Sequence, residues 1–135
     1  MASNLTPAAL SAQNMRGSEF ELDLSGAIIP LPHISYDNGF EVSRGYDGFT
    51  VCESGFYIVR YKVSADSAGN LSAALRKNGA AIPVLTDETS GEKTHSGEAV
   101  VFLNVGDLLQ LAVSGRGKIQ LTAHTGAALN IIKIA

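Results

Sequence analysis

Residues able to do chemistry are few and scattered in this 135-residue chain. His33, His95 and His124 lie far apart and lack the short spacing that gathers metal ligands, so they read as surface histidines of strands and turns. Asp66, Asp87 and Glu88 fall in separate short loops without the alternating acidic pattern of a calcium loop. Gly91-Glu92-Lys93-Thr94 has the end of a phosphate-binding loop but lacks the upstream glycine and the Gly-Lys pair. Ser54 and Ser96 have no histidine at a motif distance, and Asp107 beside Gly106 reads as turn chemistry. Cys52 is the single cysteine, which excludes an intrachain disulfide and reads as a small buried apolar residue. Arg60 and Lys62 alternate on one strand face, as a solvated or interface-lining end of a sheet. Neither an enzyme, a cofactor nor a metal is expected.

Charge and hydropathy narrow the partners. A net charge of -3 with no long run of like charge offers no footprint for nucleic acid or an anionic membrane. No window approaches the ~18 apolar residues of a membrane span, and no secretory signal is visible at the N-terminus. Only 17% of residues are charged, and the mean hydropathy is +0.13. Such a chain must bury more than usual or share its surface.

The elements that carry these residues are strands. Fourteen glycines and four prolines punctuate short alternating runs, and no stretch holds a helical period, which predicts an all-β sandwich. Residues 1–15 are expected to form an arm and a first edge strand, and residues 16–135 one sandwich domain. Asn38-Gly39 and Asn78-Gly79 each predict a hairpin, between residues 34–36 and 40–42 and between 71–77 and 81–86. Residues 55–64 make the central strand, aromatic or β-branched at every position but Gly55, Arg60, Lys62 and Ser64. Alternation sends Tyr57, Val59, Tyr61 and Val63 to one face and Phe56, Ile58, Arg60 and Lys62 to the other.

Three strands have two apolar faces. Beside the central one, residues 98–105 set Val101 and Leu103 against Val100 and Phe102, and residues 127–134 set Leu129 and Ile131 against Ile132 and Ile134. Residues 107–113 are one-sided, with Leu109 and Leu111 on the apolar face. A sandwich buries one side of each sheet, so the second greasy side calls for a subunit interface. The expected core is therefore Tyr57, Val59, Tyr61, Val63, Leu103, Leu109, Leu111, Leu129 and Ile131. The expected interface is Phe56, Ile58, Arg60, Val100, Phe102, Ile132 and Ile134.

A family resemblance spans nearly the whole chain. It rests on Ser11-Ala12-Gln13-Asn14, Ile29-Pro30-Leu31-Pro32, and Phe49-Thr50-Val51 leading into Gly55-x-Tyr57-x-Val59-x-Tyr61. It continues through Leu75-Arg76-Lys77-Asn78-Gly79 with Ile82-Pro83, Leu103-Asn104-Val105-Gly106-Asp107 before Leu109-x-Leu111, and Gly126-Ala127-Ala128-Leu129-Asn130-Ile131-Ile132. In this order they resemble the jelly-roll heads of tumour necrosis factor and complement component-one q. They are closer still to the C-terminal head of the spore-surface (exosporium) collagen-like glycoprotein. The resemblance implies a ten-stranded TNF-like jelly roll, assembled as a homotrimer through its inner sheet. It also implies a non-catalytic recognition head on a spore or cell surface, with a protein receptor or a glycan as ligand. The alternative is a structural trimerisation knob of a coat or filament, with no specific ligand. Such heads commonly follow a Gly-X-Y stalk, and no period-three glycine occurs here.

Overall fold

The computed structural model describes residues 7–17, 19–22, 25–65, 71–88, 93–115 and 117–135. Among them the chain forms strands and no helix. In order these are β1 (Ala9–Arg16), β2 (Glu19–Leu22), β3 (Ala27–Ile28), β4 (His33–Asn38), β5 (Phe40–Val42), β6 (Phe49–Val51) and β7 (Gly55–Ser64). There follow β8 (Leu71–Lys77), β9 (Ala80–Asp87), β10 (Thr94–Leu103), β11 (Leu108–Gly115), β12 (Gly117–Gln120) and β13 (Ala123–Lys133).

Two antiparallel sheets face each other. One runs β10-β7-β13-β1-β4; the other runs β5-β6-β11-β8-β9, with β3 also pairing β11. Short β2 and β12 make a separate pair. The fold is an all-β jelly-roll sandwich whose two main paths take ten strands, with β2, β3 and β12 as additional short pieces.

The core lies between the sheets. From β7 come Tyr57, Val59, Tyr61 and Val63, and from β13 Leu129 and Ile131; Leu103 is on β10 and Leu109 and Leu111 on β11, all fully buried. Fully burying a side chain of this size stabilises the fold by roughly 1.5–3 kcal/mol. The Tyr57 hydroxyl donates to Glu53 O at 2.5 Å and that of Tyr61 to Ala73 O at 3.2 Å, so neither phenol is buried without a partner. Gly97 makes room for Tyr61, since a Cβ there would sit 2.6 Å from the ring.

Three expectations change. The first strand is not an edge: β1 pairs β13 on one side and β4 on the other, because Leu10, Ala12 and Asn14 point into the core. The boundary expected after residue 15 therefore falls inside β1. Residues 34–36 and 40–42 do not form a hairpin either. β4 pairs β1 in one sheet and β5 pairs β6 in the other, so Asn38-Gly39 carries the chain from sheet to sheet. Asn38 remains tied to β1, opposite Ala9 and donating to Pro7 O, which leaves Gly39 (φ 83) to make the crossing. The Asn78-Gly79 turn does join β8 to β9, with φ of 54° and 89° at the two positions, as a two-residue hairpin turn needs.

Candidate oligomerisation face

The outward side of the β10-β7-β13-β1-β4 sheet is built from alternate residues brought into rows by the strand register. Phe102 lies opposite Phe56, and the Ile134 N–H donates to Phe56 O at 2.8 Å. The next row runs Val100, Ile58, Ile132, Ala9. Then come Glu98, Arg60, Asn130, Ser11 and Tyr36, and after them Ser96, Lys62, Ala128, Gln13 and His33. Two apolar rows therefore adjoin two polar rows on a single surface.

The apolar rows are wet in the single chain. Phe56, Val100, Phe102, Ile132 and Ile134 are each 46–56% exposed, and Ile58 is half-buried. The rings of Phe56 and Phe102 meet edge to face, 5.0 Å between centroids and 74° between planes. Covering what remains of each such side chain would contribute about 1 kcal/mol. Contiguous exposed apolar tracts are uncommon on single soluble chains.

The polar rows are partly self-satisfied. Arg60 donates through Nε and Nη2 to Glu98 Oε2, at 3.0 Å from Nε, and both side chains are more than half exposed. Ser11 Oγ donates to Asn130 Oδ1 at 2.8 Å. In water an ion pair like Arg60–Glu98 is worth about 0–1 kcal/mol; under a partner it would matter far more, because either charge alone would be stranded. The sequence singled out Arg60 and Lys62 but not Glu98, Asn130 or Ser11. Cross-strand register brings those into line, and only alternation within each strand was legible beforehand.

The residues first examined for chemistry stay apart. His33 is exposed on β4, and the side chain of His124 lies outside the described residues, as do Asp66 and Gly91-Glu92. His95, expected at the surface, is fully buried between the sheets, because β10 begins at Thr94 and turns it inward beside Val63. Its Nδ1 lies 3.7 Å from Asp87 Oδ2, and neither ring nitrogen has a hydrogen-bond partner among the described residues. Asp87 Oδ2 instead accepts the Ser96 N–H at 3.1 Å. Cys52, expected as a buried residue, is exposed in the turn between β6 and β7. Asp107 is a structural acid. Burial opposes its ionisation, but the Asn104 N–H (2.8 Å), the Asn78 amide (3.0 Å) and nearby Lys77 outweigh that and hold its carboxyl below the usual range. Among the described residues no group of three or more His, Cys, Asp or Glu could hold a metal, and no helix is long and apolar enough to cross a membrane.

This architecture is matched by known proteins. Residues 10–135 match the family described as the BclA C-terminal domain. The chain belongs to that family. Its fold is similar to murine APRIL (TM-score 0.72, 13% identity, 96% of this chain and 100% of that one). It is similar also to Eiger TNF from S. frugiperda (0.70, 18%, 96% and 94%). The globular domain of zebrafish complement 1qA protein aligns as well (0.64, 17%, 95% and 98%). No curated protein is matched by the sequence. Over residues 10–135 the chain is thus a BclA C-terminal domain with the fold seen in tumour-necrosis-factor-like and complement globular domains.

Proposed function

We propose that this BclA-type head assembles as a homotrimer on a spore or cell surface and recognises a surface ligand, either a protein receptor or a glycan. The observation that carries the trimer is the contiguous outward tract Phe102–Phe56 and Val100–Ile58–Ile132, half exposed on strands whose other face is core. In this reading Phe56, Ile58, Arg60, Val100, Phe102, Ile132 and Ile134 line the contact between copies. A cyclic assembly of three suits such a surface, because a head-to-tail contact closes into a ring. Residues from β1 onward form the head.

The second reading is a structural knob that trimerises and carries no specific ligand. The run Ala65-Asp66-Ser67-Ala68-Gly69-Asn70, small or polar at every position, favours it, since so bland a stretch has little to grip with. Light scattering behind size exclusion tests the shared part of both readings. A species near three times 14.1 kDa is expected, and its melting temperature should rise with protein concentration. A monomer that keeps its fold at all concentrations would sink both.

A further inference from the structure

The hairpin of β5 and β6 ends in Ser43-Arg44-Gly45-Tyr46-Asp47-Gly48, and this tip is braced throughout. Ser43 N–H donates to Gly48 O at 2.9 Å, and Tyr46 N–H donates to Ser43 O at 3.0 Å. Ser43 Oγ accepts the N–H groups of Asp47 (3.1 Å) and Gly48 (3.0 Å), and donates to Asp47 Oδ1 at 2.7 Å. Leu31 N–H donates to Tyr46 O at 2.7 Å, which docks the tip onto the body of the sandwich.

Within this brace Tyr46 adopts φ 57, a left-handed conformation that a bulky side chain resists. Gly45, beside it, has no such φ. Strain placed on the tyrosine while a neighbouring glycine goes unused persists only where the surroundings enforce it, and such outliers cluster at ligand sites. The outcome is a half-exposed Tyr46 ring and an exposed Arg44, separated in sequence by Gly45 alone, with the Asp47 carboxylate turned onto Ser43 Oγ. Arg60 and Arg76 are engaged with Glu98 and Ser25 O; Arg44 enters no ion pair among the described residues.

We propose that this tip is a saccharide site selective for sugars bearing a carboxylate. The Tyr46 ring offers a flat apolar platform for the C–H face of a pyranose, and the Arg44 guanidinium offers two parallel donors to a carboxylate. One tyrosine and one arginine on a hairpin tip are far smaller than a standard protein interface, which needs ~800 Å² on each side. They match a single sugar residue. A net charge of -3 gives the protein no general attraction for acids, so an acidic ligand would be held here by the local arginine. The proposal rests on the recognition reading and names its ligand class; three tips on one assembly would add avidity.

The test is calorimetric titration of the intact protein with a glucuronate-containing hyaluronan hexasaccharide and with sialyllactose, using lactose as neutral control and hexaglutamate as acidic peptide. An acidic sugar should bind at millimolar concentration and lactose at least tenfold more weakly. Arg44→Ala should erase that preference. Tyr46→Gly should weaken binding at least tenfold with an equal or higher melting temperature, because glycine is at ease at φ 57. The proposal is overturned if neither acidic sugar binds, if both variants bind like the parent, or if hexaglutamate binds as tightly as the sugars. A lower melting temperature for Tyr46→Gly also overturns it, by making Tyr46 a packing residue. Light scattering on the same samples separates the two readings: a sugar-binding monomer sinks the trimer alone, and a trimer blind to both acidic sugars sinks the saccharide site alone.

Discussion

The two sheets bury equivalent inner faces and present opposite outer ones. On the β10-β7-β13-β1-β4 sheet the outward rows are Phe102–Phe56 and Val100–Ile58–Ile132. On the other sheet the outward rows are Leu108–Thr50, Gln110–Arg76–Ala81, Ile28–Ala112–Ala74 and Ser114–Ser72, where polar and small residues interrupt the apolar ones, and exposed Val84 stands alone on edge strand β9. Both sheets would look alike if the sandwich lived alone, since a solvated antiparallel face alternates apolar and polar residues. This difference is the reason the proposed contact between copies is placed on that side.

The largest expected effect breaks that asymmetry directly. Phe56→Asp or Phe102→Asp should leave monomers or aggregate by light scattering, while Gln110→Asp, on the other sheet, should leave the assembly intact. A well-folded trimer carrying Phe56→Asp would remove that ring from the contact. Glu98→Ala comes next. If the polar rows are covered, stranding Arg60 should cost about 3–5 kcal/mol of assembly stability; if they stay wet, about 0–1 kcal/mol. Chemical denaturation of the two proteins at one concentration reads the difference.

Smaller effects come from the seams between sheets. Asp107 is ionised more readily in the fold than in the open chain, so its contribution is present above pH ~4 and fades as pH falls through its lowered folded value. An acid titration of unfolding should show Asp107→Asn flattening the drop below pH ~4; an unchanged slope would place that acid sensitivity elsewhere. At the other seam, the buried His95 ring has no hydrogen-bond partner among the described residues, its Nδ1 lying 3.7 Å from Asp87 Oδ2. His95→Leu should leave stability unchanged or raise it by about 1 kcal/mol. A loss of more than that, by the same denaturation, would reveal a partner for the imidazole.

Much of the sandwich was legible because strand alternation is a local property. Tyr57, Val59, Tyr61 and Val63 had to share a face, and so did Phe56 and Ile58, whatever the sheets did next. What was not legible depends on pairing between distant residues. Asn38-Gly39 has the composition of a hairpin turn, yet β1 captures Asn38 and sends β5 to the other sheet. His95 was misplaced for a related reason: where β10 begins decides its direction, and the polar run before it hides that start. Glu98 became a partner of Arg60 only through a register spanning 38 residues. The conformation of Tyr46 had no sequence signal, since its neighbouring glycine would have been the natural choice for it.

One further consequence concerns the time before assembly. β10 is ten residues long, contains no proline, pairs among the described residues with β7 alone and lies at the rim of the greasier sheet, its Ser96 N–H capped by Asp87. A newly made protomer therefore offers open backbone groups directly beside exposed Val100 and Phe102. Such an edge invites strand addition by any similar chain, and lysines or inward charges that would blunt it are missing from β10. In the proposed trimer, correct docking and fibrous misassociation would compete for one surface, so yield during production should depend on how quickly copies meet in the right orientation.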